Sequence, residues 1–78
     1  MVKTKFLGSS SNGIFCVDGV DLFQCKWKTT GKCAVVLEPE NKKAHTFSMY
    51  EVTIKDEAFR FVAGEFKPGT WGFYSVIK

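Results

Sequence analysis

FRFVAGEFKPGTWGFYSVI, residues 59–77, is the stretch whose reading decides the fold. It holds half of the chain's Phe, Trp and Tyr residues, and Pro68-Gly69 divides it into two apolar runs. Before that pair, Phe59 and Phe61 alternate with Arg60 and Val62. After it, Trp71, Phe73, Ser75 and Ile77 alternate with Gly72, Tyr74 and Val76. A period of two sends successive side chains to opposite faces of a strand. Proline presets φ and glycine accepts a positive φ, so Pro68-Gly69 suits a reversal. The stretch therefore predicts a hairpin that closes a small β core, with strands over 58–63 and 70–77 and a connection over 64–69.

Moving toward the N-terminus, residues 47–55 place Tyr50, Val52 and Ile54 on one side and Glu51, Thr53 and Lys55 on the other. A helix through Phe47, Tyr50 and Ile54 competes, but Thr46, Val52, Thr53 and Ile54 are β-branched and favour a strand. Residues 39–46, PENKKAHT, are the longest polar stretch and the main connection. Pro39 suits a first helical position and Glu40 the positive end of the dipole, so one short helix fits between Pro39 and Met49. Residues 33–37 are apolar throughout and read as a central strand, ended where Pro39 has no donor for a ladder.

Thr29-Thr30-Gly31 fits a three-residue hairpin loop, which would set Trp27 opposite Cys33 and Cys25 opposite Val35. The strand before it covers 20–28, with Phe23, Cys25 and Trp27 on one face. Asp18-Gly19 between valines is the best two-residue turn signal, and it pairs Val17 with Val20 and Cys16 with Asp21. Residues 14–17 read as a strand buried on both faces, Asn12-Gly13 as a turn, and 2–7 as a first strand. The expectation is an all-β fold with at most one short helix. It is a small single domain over residues 1–78, a barrel or curved-sheet sandwich of five to seven antiparallel strands.

A chain of 78 residues lies near the lower limit for a core without staples, and its 15% aromatic content compensates by burying large rings. The net charge is +3, and all basic residues except Arg60 are lysines spread along the chain. That permits contact with nucleic acid without demanding it, because lysine is the ordinary solubilising residue. Cys16, Cys25 and Cys33 make an odd count with no export signal, which points to free thiols, at least two of them buried, in a cytoplasmic protein.

Residues that could carry chemistry are few. Nucleophilic catalysis needs a thiol or hydroxyl beside a base, and His45 is the single histidine, set in the polar connection. The spacing of the three cysteines and His45 contains no close pair to seed a zinc knuckle. No glycine-rich phosphate loop is present. The expectation is a protein that is not an enzyme, with no cofactor and no metal.

What remains is the interleaving of aromatic and basic residues. Trp71-Gly72-Phe73 is similar to the aromatic-Gly-Phe heart of the RNA-binding strand in cold-shock and RNA-recognition domains. The resemblance covers a few residues and implies a sheet face on which bases stack; it assigns no family. The leading expectation is a binding module for single-stranded nucleic acid. Its contacts would be drawn from Lys26, Trp27, Lys28, Lys32, Arg60, Lys67, Trp71 and Tyr74. The alternative is a protein-binding or inhibitory domain that uses an aromatic face or an open sheet edge, against a partner or as a homodimer, with no role for a membrane.

Overall fold

The computed structural model describes residues 3–77. In chain order the strands are β1 Lys3–Ser10, β2 Cys16–Val17, β3 Val20–Asp21, β4 Lys28–Leu37, β5 Ala44–Ile54, β6 Glu57–Lys67 and β7 Thr70–Ile77. A single 3-10 turn, Leu22–Gln24, follows β3, and no α-helix occurs among the described residues. The five long strands form one antiparallel sheet in the order β1-β7-β6-β5-β4, and β2 pairs with β3 in a small ribbon. The fold is thus all-β, but β1 and β4 are both free edges, so the sheet is not a closed barrel.

Turn chemistry sets most of the register. Lys67 pairs with Thr70 around Pro68-Gly69, with Gly69 at φ 87°. Strand β6 therefore runs through the residues expected to form a connection, and it absorbs them with a bulge between Glu65 and Lys67. Lys55 and Asp56, both at positive φ, reverse the chain so that Ile54 faces Glu57. Asp18-Gly19 behaves as expected, with Val17 opposite Val20 and Cys16 opposite Asp21.

Several expectations need correction. Of residues 14–17, only Cys16–Val17 is strand, and the run is not buried on both faces: Ile14 is 56% exposed and Cys16 is exposed. The chain over 20–28 leaves the strand after Asp21, because the Asp21 carboxylate accepts from both Phe15 N and Phe23 N and starts the 3-10 turn instead. Gly31 is left-handed, at φ 79°, but it lies in an irregularity inside β4 rather than in a hairpin loop. Cys33 consequently faces Ser48, and β4 is an edge strand rather than a central one. Between Pro39 and Met49 there is no helix: Glu38 N donates to Lys43 O and Lys42 N to Glu38 O, which closes a tight β4–β5 connection with Lys42 at φ 57°.

The sheet carries a buried cluster on each face. On one, Val52, Ile54, Phe61, Ala63 and Phe73 pack beneath an arm formed by residues 14–27, whose Leu22 is fully buried. On the other, Ala34, Val36, Phe47, Met49, Val62 and Tyr74 pack together. That second face is concave. Strands three places apart lie roughly 14 Å from one another in a flat sheet, yet the Tyr74 hydroxyl on β7 donates to Leu37 O on β4 at 2.6 Å.

The curl depends on glycines. A Cβ on Gly64 would lie 2.3 Å from the Phe47 ring, and one on Gly72 would lie 2.2 Å from the Phe66 ring. Each ring occupies the space its glycine leaves, which is the reason for glycine in these two strands.

Candidate binding surface

The two tryptophans belong to the arm face. Trp27 and Trp71 meet edge to face with ring centroids 5.7 Å apart, and Trp27 also packs on Phe61 at 5.1 Å. The indole N–H of Trp27 donates to Leu22 O at 2.7 Å, so its polar edge is spent holding the arm. Both rings are half-buried, as are Phe23, Tyr50 and Phe59 beside them. Tyr74 lies on the concave face, 4% exposed, with its hydroxyl bound to Leu37 O. Burial first, and the nearby Glu38 carboxylate second, raise the Tyr74 pKa above its ordinary value.

The basic residues fall elsewhere. Lys28 lies opposite Glu51, which lies opposite Arg60, so the three form one row across β4, β5 and β6. Arg60 Nε donates to Glu51 Oε1 at 3.3 Å, an exposed pair of the kind that contributes little to stability. Arg60 shares the concave side with Val62, whereas Trp27 and Trp71 are on the arm side. Lys26, Lys32 and Lys67 are exposed, on the arm, in the β4 irregularity and at the β6–β7 turn respectively. The residues expected to form one platform are therefore brought together only in part: the tryptophans meet each other, and Lys28 and Arg60 flank Glu51 in one row.

Two features escaped the sequence. One is a cleft of about 430 Å³ between β1 and the β4–β5 connection, lined by Phe6, Ser9, Glu38, Lys43, Phe66 and Thr70 among others. Near it, His45 Nε2 lies 2.8 Å from Glu38 Oε1, and the imidazole packs against Phe47 and Phe66. Among the described residues, no three His, Cys, Asp or Glu side chains gather to hold a metal ion.

The other feature is the free edge of β4. Val35 is 67% exposed and Leu37 is 54% exposed, on the side opposite to Ala34 and Val36. Cys33 is exposed beside them, and so is Cys16 on β2; only Cys25 is half-buried, which corrects the expectation of buried thiols. The physical reason is placement: Cys33 points outward from an edge strand, and Cys16 from a two-residue ribbon. A signal for the edge existed in Lys28 and Lys32, since lysine is a common guard of unpaired strands. It was masked by the apolar run over 33–37.

Comparison with known proteins finds no matching family model, no matching curated protein and no matching solved structure.

Proposed function

We propose that the chain is a non-catalytic binding module that engages a protein partner by strand addition at the free edge of β4. One observation carries this reading: residues 33–37 are regular strand on a sheet edge, with Val35 and Leu37 largely exposed. An edge of this kind supplies backbone donors and acceptors for affinity and side-chain positions for specificity. The absence of catalysis is part of the proposal; His45 Nε2 is engaged by Glu38 rather than by a thiol or hydroxyl.

Binding of single-stranded nucleic acid is the second reading, favoured by the half-exposed Trp27, Tyr50 and Trp71. It ranks behind the first because the rings lie on one face of the sheet while Lys28 and Arg60 lie on the other. The test is capture from native lysate with wild-type protein and with Val35→Pro as baits, with and without nuclease. A partner protein that survives nuclease and moderate salt, and is lost with Val35→Pro, supports strand addition. Captured material that vanishes with nuclease, or is released by moderate salt, returns the assignment to nucleic acid.

A further inference from the structure

The β4–β5 hydrogen-bond pattern identifies which groups of β4 face the open edge. Glu38 N donates to Lys43 O and Glu38 O accepts from Lys42 N, so both backbone groups of Glu38 point toward β5. In an antiparallel pair this orientation alternates from residue to residue. Val36 and Ala34 therefore bond to β5, and Leu37, Val35 and Cys33 direct their N–H and C=O outward. Leu37 O agrees independently, since it accepts from the Tyr74 hydroxyl on the far side of the gap. These outward residues also carry the exposed side chains, with Lys32 at one end of the segment and Glu38 at the other.

Resting on the reading of β4 as a docking edge, we infer that its occupant is a second copy of this chain, paired antiparallel about a two-fold axis through Val35. In that register Val35 faces the partner's Val35, and Cys33 faces the partner's Leu37. Both are hydrogen-bonded pairs, which use the outward groups of both strands. A carbonyl has two lone pairs, so Leu37 O accepts from the partner's Cys33 while keeping its bond from Tyr74. All the outward apolar side chains meet on one face. On the other, just beyond the regular segment, Lys32 comes near the partner's Glu38, whose carboxylate also holds His45 through Oε1, and the symmetry repeats that pair of opposite charges on both sides of the axis. The segment is self-complementary in hydrogen bonds, apolar contact and charge together.

The other edge does not compete for this site. Strand β1 exposes Lys3 and Lys5 and is interrupted by a bulge between Phe6 and Gly8. Adding β1 of one copy to β4 of another would bring those lysines to the strand that carries Lys28 and Lys32. It would also leave an open-ended contact instead of a closed dimer. The regular part of β4, residues 33–37, has no charged side chain within it.

Sedimentation of the whole chain over a range of concentrations tests the inference. The expected result is a reversible monomer–dimer equilibrium. Val35→Pro removes a donor that points to the open edge and none that points to β5, so it should give a monomer with unchanged far-UV circular dichroism. Should that variant unfold, Val35→Lys serves instead, placing two like charges at the axis. Lys32→Glu should weaken the dimer about tenfold at low salt, because two ion pairs become two repulsions.

The register has its own readout. Leu37→Cys brings a new thiol opposite the partner's Cys33 at a Cα separation of about 5.5 Å, within disulfide range. Mild oxidation should then link the introduced thiol to the partner's Cys33. In wild type, Cys33 and the partner's Cys33 are roughly 13 Å apart and should not link. A monomer at all concentrations, a dimer indifferent to Val35→Pro and Val35→Lys, or a direct Cys33 crosslink in wild type overturns the inference. A monomer that still loses a captured protein partner with Val35→Pro overturns self-pairing alone and leaves the edge reading standing; no dependence on Val35 in either assay overturns both.

Discussion

On the arm face, Phe61 and Phe73 are covered by residues 14–27, a segment whose only ladder is the two-residue pairing of β2 with β3. On the concave face, Phe47, Met49, Val62 and Tyr74 are covered by the sheet itself as it curls. The first closure depends on a few point contacts: Leu22 in the core, the Trp27 indole on Leu22 O, and Asp21 on two backbone N–H groups. The second depends on backbone shape, which the rings of Phe47 and Phe66 fix against Gly64 and Gly72. One sheet thus has an added cover on one side and a built-in cover on the other. Their failures should differ, the first local and the second global.

The largest effect tests the core beneath the arm at its centre, on the strand β6 that also carries Val62 of the concave face. Phe61 is fully buried between Trp27, Tyr50 and Phe73 in the central strand β6. Phe61→Ala should cost about 3–5 kcal/mol of global stability in denaturant titration. A loss below 1 kcal/mol would mean that the arm collapses into the void and that this ring does not hold the sheet's core.

Next come the glycines. Gly64→Ala drives a Cβ into the body of the buried Phe47 ring and should destabilise by about 1–3 kcal/mol. Gly72→Ala meets chiefly the far end of the half-exposed Phe66 and should cost less, since that ring can swing toward solvent. A reversed order in the two melting temperatures would show that the curl is not fixed chiefly at Gly64.

A smaller and more local loss is expected from Asp21→Ala, which releases the N–H groups of Phe15 and Phe23 at a cost of about 1–2 kcal/mol. Amide exchange should accelerate over residues 14–27 while the β5–β6 ladder keeps its protection. Equal acceleration in both would erase the distinction between added and built-in cover.

The smallest effect is that of Tyr74→Phe, about 1 kcal/mol for the bond to Leu37 O. It has a pH signature as well. The Tyr74 pKa is raised above 10.0 in the fold, so the native state favours the neutral phenol. Its contribution is fully present below pH 10 and is lost as pH rises through the folded-state value. The stability of wild type should therefore fall more steeply in that window than that of Tyr74→Phe, and parallel slopes would place the alkaline sensitivity elsewhere.

Where local chemistry decides structure, the sequence was readable. Asp18-Gly19 and Pro68-Gly69 both turn as their residue types dictate, and the alternation over 70–77 places Phe73 and Tyr74 on opposite faces, each in a core. Misreadings arose where tertiary contacts override a local pattern. The Phe23, Cys25 and Trp27 alternation suits a strand, but Asp21 captures two amides and makes an arm of it. The run over 33–37 looks central because its pattern is that of a strand buried on both faces, and no single residue in it reveals that one side is open. For the candidate surface, residue types were legible and their placement was not. Trp27 and Trp71 converge from segments far apart in the chain, and Lys28 and Arg60, expected beside them, fall on the opposite face.

The pairing of Lys3 with Ile77 has a kinetic meaning. Strands β4 to β7 form a meander in which each strand finds its partner through a short turn, at low entropic cost. Strand β1 alone must wait for a partner separated from it by every other strand of the fold. During synthesis it emerges first, and β7 emerges last of the seven. The meander is thus positioned to assemble early, and docking of β1 is the slow, long-range step that topology imposes on the folding rate.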